Sequence, residues 1–418
     1  MALFTTHTGM VDLLPGETEK WQYVESVVRE VARRYHFKEI RTPILEPTEM
    51  IARGVGQLTD IVSKEMFAFD RGDDHYVLRP EGTASVCRAY IQHHLDQRGG
   101  AQRLFYIGPM FRAERPQKGR QRQFHQFGAE ILGSADPLAD AEVIAFMVEV
   151  YRLVGITNMN LNINSVGDPE SRQRYKETLI AYFTPLRDKL SEVSKTRLEV
   201  NPMRILDSKE EEDQAWIVDA PIITDYLNDD CRQHYEQVKA HLNALGIAYV
   251  EQPRLVRGLD YYTKTAFELT SPDLGSQDAL GGGGRYDLLV EELGGAPTPA
   301  VGFASGMERL LIACEAMGLS LGAPAKPQVY IACHGEAARA WAIQQAASLR
   351  KQAISCLFDT GGRSMKAQMK EADREGASWC IIVGDTELTS GQFVVRNMAT
   401  SSEETLDFAS ILDRIRPS

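Results

Sequence analysis

Over residues 19–37, apolar side chains recur at three- and four-residue steps (Trp21, Val24, Val28, Val31, Tyr35), with Glu25, Arg29 and Arg33 or Arg34 between them. That period predicts an amphipathic helix after a stop at Pro15-Gly16. Residues 38–45 read as a short strand edged by Pro43. Residues 62–78 alternate as two strands around a turn at 71–74. A helix follows over 84–94, with Thr83 placed to cap it. The run 103–133, RLFYIGPMFRAERPQKGRQRQFHQFGAEILG, predicts a hairpin. Leu104, Phe105, Tyr106 and Ile107 start one strand, Pro116 and Gly119 mark the turn, and 123–132 return as the second strand. A helix over 136–154 and a strand over 161–166 come next.

The pattern changes at residue 168. As far as about 245 the chain is charged and helical in period, broken by Pro185, Pro202 and Pro221 and carrying the acidic run Glu210 to Asp213. It reads as a helical insertion, bounded at 168–250. Strand composition resumes over 254–269. GGGGR at 281–285 offers a place where a ligand approaches backbone closely, or a flexible turn. Residues 300–314 read as strand, glycine, helix. GLSLGAPAKP at 318–327 is the best linker in the chain. Beyond it, strands over 329–333, 355–359, 379–383 and 393–396 alternate with helices over 336–352 and 363–375. A closing helix over 404–415 completes a small α/β domain.

Composition narrows this picture. The chain has 418 residues with 43% apolar and 25% charged, the range of soluble globular proteins. Its net charge of −12 argues against non-specific nucleic-acid binding over the whole surface. Residues 326–418 hold 11 cations and 11 anions, so the excess lies in 1–325. The six cysteines include no CxxC pair, so no zinc site is expected and the metal-ligand set is empty. Such sparse cysteines suit buried thiols in a reducing compartment. Residues 1–10 lack the basic start and apolar core of a secretory signal, and no run of 18 apolar residues exists. A cytoplasmic protein without membrane attachment is expected.

Several stretches carry candidate chemistry. Between 112 and 122 stand five cations (Arg112, Arg115, Lys118, Arg120, Arg122) and one anion, Glu114. On a rigid hairpin such a loop suits a polyphosphate or a nucleic-acid backbone, though a solvated charged loop has the same composition. Glu81 and Thr83 begin a helix, where a carboxylate either binds a ligand or answers the helix dipole. Arg257 and Asp260 bracket a short turn before Tyr261 and Tyr262. Glu308 and Arg309 fall in the early turns of a helix that follows a glycine.

Together these stretches resemble the histidyl-tRNA synthetases, members of the class II aminoacyl-tRNA synthetases, over essentially the whole chain. The first helix and the Pro43 strand are similar to motif 1, residues 103–133 to motif 2 and residues 300–314 to motif 3. Arg257-Gly-Leu-Asp-Tyr-Tyr262 and the 281–286 glycine run resemble stretches specific to the histidine enzymes. One departure is Thr8, which stands before Gly9 where the family usually has arginine.

The resemblance implies an α/β (α+β) fold: a six-stranded antiparallel sheet flanked by helices, a helical insertion, and a C-terminal α/β anticodon-binding domain. The expected domains are a catalytic domain over 1–325, interrupted by the 168–250 insertion, and an anticodon-binding domain over 328–418. It implies a homodimer with motif 1 at the interface. It implies ATP-dependent activation of L-histidine to histidyl-adenylate and transfer to the 3′-terminal ribose of the cognate tRNA, with Mg2+ on the outer phosphates. Arg112, Arg257 and Arg309 are the implied catalytic cations. Glu81, Gly82, Thr83, Arg112, Gln126, Glu130, Arg257, Tyr261 and Tyr262 would bind histidine; Arg112, Glu114, Arg120 and Arg309 would bind ATP. Arg115 and Gln117 would meet the tRNA acceptor end. The rival reading is a non-catalytic paralogue that regulates ATP phosphoribosyltransferase; it lacks the anticodon-binding domain.

Overall fold

The computed structural model describes residues 3–56, 59, 61–117, 119–256, 258–275 and 278–416. The chain divides into two compact units, Met1–Gly322 and Ala323–Ser418.

The first unit is built on an eight-stranded sheet. Its order is Lys38–Glu39, Gln102–Phe111, Gln123–Leu132, Ala300–Gly306, Ala279–Arg285, Thr263–Thr270, Asn160–Ser165 and Val250–Glu251. The six central strands run antiparallel throughout, and one short parallel strand is added at each edge. The expected fold class therefore holds, inside a slightly larger mixed sheet.

Strand alternation separates two faces. Phe105, Phe127, Ala129 and Phe303 point toward the helices Thr18–Arg34 and Pro137–Val154, packing with Val24, Val28, Val31, Phe146 and Val150 in one core. Leu104, Tyr106 and Leu132 point the other way and pack with Val86, Cys87 and Tyr90 of the helix Thr83–Gln92. Gln126, Gly128 and Glu130 lie two residues apart on one strand, so they share a face. Their neighbours across the ladders are Gly108, Tyr106 and Leu104 on one side and Gly306, Ala304 and Gly302 on the other.

Several expectations need correction. Residues 38–45 form no single strand: Lys38–Glu39 joins the large sheet, whereas Leu45–Pro47 joins a three-stranded sheet with Asp74–Leu78 and Phe67–Arg71. Between them the buried Arg79 guanidinium donates to Thr42 O at 2.9 Å and Thr42 Oγ1 at 2.7 Å, and also to Pro109 O at 3.0 Å. Residues Ile61–Glu65 make one helical turn, not the start of a strand. Thr83 is not the cap of its helix; Glu81 accepts from Thr83 N at 2.9 Å and Ala84 N at 2.7 Å. The glycine run is not a turn but a strand paired on both sides. A Cβ at Gly283 would come 2.0 Å from Gly302 O, and one at Gly284 2.4 Å from Thr265 O. Arg285, which ends that strand, is wholly buried and pairs with Asp140, which also faces His234 at 3.2 Å. Burial pushes the Asp140 carboxyl up, but Arg285 and His234 outweigh it and hold the group at about 2.

Within the stretch read as an insertion, Tyr175, Leu179, Phe183, Leu198, Ile205 and Ile217 form a core of their own. The later helix Asp229–Ala244 turns Tyr235, Val238 and Leu242 into the main core instead.

The second unit is a five-stranded sheet in the order Cys356–Phe358, Val329–Cys333, Trp379–Val383, Phe393–Asn397, Glu403–Leu406. The first three are parallel and the last two antiparallel. The closing helix is shorter than expected, Phe408–Ile415. Asp407 caps it by accepting from Ser410 N at 2.8 Å, and residues 403–406 before the cap pair as an edge strand.

Candidate active site

Glu130 is fully buried and accepts from Thr83 Oγ1 at 2.9 Å and Tyr286 OH at 2.6 Å. Gly302 makes room for it, since a Cβ there would come 1.4 Å from Glu130 Oε2. Burial raises the Glu130 carboxyl to about 8, against the pull of the two hydroxyls. Glu81, also buried, is raised by the same loss of solvent; two backbone N–H donors and the nearby Arg112 act against the rise. A carboxylate pair kept from water in this way suits a ligand that brings its own N–H groups or positive charge.

Aromatic rings wall this cluster. Tyr261 and Tyr262 have centroids 4.6 Å apart, and Tyr286 meets Tyr261 edge-on at 5.7 Å. Tyr106 is wedged between two glycines: a Cβ at Gly82 or at Gly128 would come within 2.4 Å of its ring or hydroxyl. Among the described residues, neither the Tyr106 hydroxyl nor the buried Gln126 Oε1 has a hydrogen-bond partner. Glu81, Gly82, Thr83, Glu130, Tyr261 and Tyr262 therefore gather at one end of the Thr83–Gln92 helix, with Gln126 farther along the sheet face that carries Glu130. Sequence reasoning passed over Tyr106, Tyr286 and Gly302. Tyr106 and Gly302 carried a usable signal, each standing directly across the ladder from Gly128 or Glu130.

The cations lie along the hairpin. Arg112 continues the ladder through its N–H to Arg122 O at 2.9 Å, donates from Nε to Pro80 O at 3.0 Å and covers the Phe124 ring at 5.3 Å. This ties it to the segment carrying Glu81. Arg120 pairs with Glu114 at 3.3 Å. Arg309, from the helix Met307–Ala316, donates to Gly119 O at 3.3 Å and Ala279 O at 2.8 Å. Burial and the charge of Arg120 lower its pKa. Arg115 and Gln117 are exposed at the loop tip. Gly9 accepts from Arg122 N at 2.8 Å, and with its φ of +84° a Cβ there would strike Pro116. Arg257, expected among the catalytic cations, and Lys118 lie outside the described residues.

A cavity of about 520 Å³ lies behind the Met307–Ala316 helix, lined by Trp21, Gly119, Gln121, Glu308 and Leu319. Its volume does not make it the reactive centre, because the convergent buried carboxylates and orphaned polar atoms sit on the other side of the sheet.

An antiparallel six-stranded sheet that carries a cationic hairpin loop, a strand ending at an arginine-bearing helix and a buried polar pocket defines a class II aminoacyl-tRNA synthetase catalytic domain. The family model described as histidyl-tRNA synthetase matches residues 9–167 and 213–310, and the anticodon binding domain model matches 328–417. A histidine–tRNA ligase of a Synechocystis species is 50% identical over 97% of this chain and 91% of its own length. One from a Picosynechococcus species is also 50% identical, over 99% and 97%. The crystal structure of apo S. aureus histidyl-tRNA synthetase superposes with a TM-score of 0.84 at 39% identity, covering 99% of this chain and all of that one. The chain belongs to the histidyl-tRNA synthetase family.

Proposed function

We propose that this protein is a histidine–tRNA ligase. It activates L-histidine with ATP, releasing pyrophosphate, and passes the histidyl group to the terminal ribose of its tRNA. The histidine carboxylate attacks the α-phosphorus and pyrophosphate leaves, so the protein's task is to align reactants and offset charge on phosphate. In this reading Arg112, with Arg257, faces the α-phosphate and the substrate carboxylate. Arg120 and Arg309 hold the outer phosphates. Glu81, Thr83 and Gln126 take the α-ammonium, and Glu130 and Tyr262 take the imidazole ring. The observation that carries the proposal is Glu130: a solvent-free carboxyl group beside two hydroxyls gains a partner when an imidazole N–H arrives.

Among the described residues, no three His, Cys, Asp or Glu side chains converge on a metal position. Mg2+ needs only one or two carboxylates beside phosphate oxygens. Glu114 and Glu268, whose charges both act on Arg309, fit that requirement. Bound there, Mg2+ would offset the negative charge of the outer phosphates. Arg115 and Gln117 would meet the acceptor end, and residues 328–418 would read the anticodon. A homodimer is supported by Ile44, Leu45 and Phe69, large apolar residues exposed near the three-stranded sheet. No helix among the described residues is long and apolar enough to cross a membrane.

Histidine-dependent ATP–pyrophosphate exchange, followed by charging of tRNA, tests the reading. Exchange without charging would point to a partial enzyme, and neither activity would favour the regulatory paralogue. The anticodon binding match over 328–417 speaks against that paralogue.

A further inference from the structure

The segment from Leu259 to Tyr262 delivers Tyr261 and Tyr262 to the amino-acid pocket, yet the sheet begins only at Thr263. What holds this segment comes from two other places in the first unit. On one side the helix Thr48–Val55 ends against it: Asp260 N lies 3.5 Å from Val55 O. Gly56, at φ +103°, leaves space that a Cβ would take 2.9 Å from Asp260 Oδ2. On the other side stands the helical insertion. Arg172, in the first turn of its helix Pro169–Phe183, donates from Nη1 to Tyr262 O at 3.1 Å and to Asp260 O at 3.4 Å. Arg204, farther along the insertion, faces the Asp260 carboxylate at 3.5 Å. A cavity of about 40 Å³ follows the seam, lined by Arg172, Arg204, Leu259, Asp260 and Tyr262.

Arg172 is the unusual member. It is largely desolvated, which lowers its pKa, and it forms no ion pair among the described residues; Asp260 and Glu292 act on it only at longer range. A guanidinium in that setting would ordinarily take a carboxylate. Here its donors go to main-chain carbonyls on either side of Tyr261. Charge-assisted bonds to two carbonyls in one short segment fix the path of that segment more firmly than a side-chain contact would.

We propose that Arg172 is a positioning residue for the amino-acid pocket. Through its bonds to the carbonyls of Asp260 and Tyr262, with Arg204 on the Asp260 carboxylate, the insertion sets the pose of Tyr262 and hence the affinity for histidine. The inference rests on the histidine–tRNA ligase reading above.

The test uses the full chain in histidine-dependent ATP–pyrophosphate exchange, with KM for histidine and KM for ATP measured separately. In Arg172→Ala the histidine KM is expected to rise roughly tenfold, the loss typical of one charge-assisted contact, while the ATP KM stays within twofold. Arg172→Lys, which can still donate to both carbonyls, is expected to recover most of the loss. Arg204→Gln, at a partly exposed pair, is expected to raise the histidine KM about two- to threefold. A merely structural role would instead lower kcat through loss of active protein and leave both KM values unchanged; that result overturns the proposal, as does a histidine KM within twofold of wild type in folded Arg172→Ala. Should Arg172→Ala fail to fold, Arg204→Gln decides the matter, and a wild-type histidine KM in that variant overturns the proposal. Absence of exchange in the wild-type protein would instead remove the ligase reading itself.

Discussion

Glu130 carries a proton in the unliganded protein well above the pH at which an unfolded glutamate would lose it, because burial raises its carboxyl to about 8. The folded state therefore binds more protons than the unfolded state between the ordinary carboxylate value and about pH 8. Stability from this group is fully present below that window and is lost as pH rises through it. One proton corresponds to at most about 1.4 kcal/mol per pH unit. Glu130→Gln keeps the shape and removes the titration. Its melting temperature is expected to fall less than that of wild type from pH 5.5 to 8.5; parallel curves would mean that Glu130 does not hold the proton. Gly302 tests the same carboxylate by crowding. Because a Cβ there would overlap Glu130 Oε2, Gly302→Ala must move the carboxylate off its hydroxyl donors. Histidine-dependent exchange in Gly302→Ala is expected to fall by about 100-fold or more, on the scale of losing a preorganised polar group. Activity within threefold of wild type would remove Glu130 from ring recognition. Arg112 supplies the third case at this scale. Its loss should slow adenylate formation by roughly 100- to 1000-fold in rapid-quench measurements, and a change under threefold would discard its role at the α-phosphate.

At the scale of elements, one buried carboxylate ties three segments of the insertion together. Asp213 is buried and accepts from Ser191 N at 2.9 Å, Ser191 Oγ at 2.8 Å, Ser194 Oγ at 2.6 Å and Ser208 Oγ at 2.5 Å. Burial pushes the group up, but the serine donors outweigh it and lower its pKa. Asp213→Ala strands those donors and should destabilise the insertion by about 2–4 kcal/mol. Faster amide exchange over 184–227, with the central sheet unchanged, is the expected signature. Uniform exchange across the first unit would show that the insertion has no stability of its own. None of this was legible in the acidic run 210–213, which reads as a solvated charge cluster; which member turns inward is decided by partners far along the chain. The hairpin was legible because it is local: its strands, turn and charges are contiguous, and Gln126 and Glu130 share a face through strand period alone. The cause of the glycine run was not legible because it is not local. Those residues are small because neighbouring strands and Tyr262 press on them, and a turn and a crowded strand carry the same letters. Residues 404–406 read as part of the closing helix because nothing in their own letters sets them apart, and only the ladder to Phe393–Asn397 makes them a strand before the Asp407 cap. Tyr286 escaped for a like reason, being an ordinary core tyrosine until the carboxylate it meets is known.

For the whole molecule, the division at Gly322 separates two kinds of work. Every described candidate for ATP or histidine, from Glu81 to Arg309, belongs to the first unit, which buries its own cores on both faces of its sheet. The second unit packs Val329, Ile331, Leu349, Ile381, Phe393 and Ile411 in a separate core and matches the anticodon binding domain model. Residues 326–418 balance 11 cations against 11 anions, so that unit lacks the net positive charge of a phosphate clamp. Such a balance suits base-edge and stacking contacts better than a phosphate clamp. Removing it should then cost recognition of tRNA and spare the chemistry on ATP. A chain ending at residue 322 is expected to keep histidine-dependent ATP–pyrophosphate exchange within about tenfold of the intact protein. Its kcat/KM for charging tRNA should fall by about 100-fold or more, equivalent to roughly 2.7 kcal/mol of lost contacts. Measuring both reactions on one preparation separates the outcomes. Loss of exchange together with charging would mean that the first unit depends on the second for its fold. Charging at the intact rate would mean that the second unit does not read the tRNA at all, and the acidic first unit would then have to supply recognition from its loops alone.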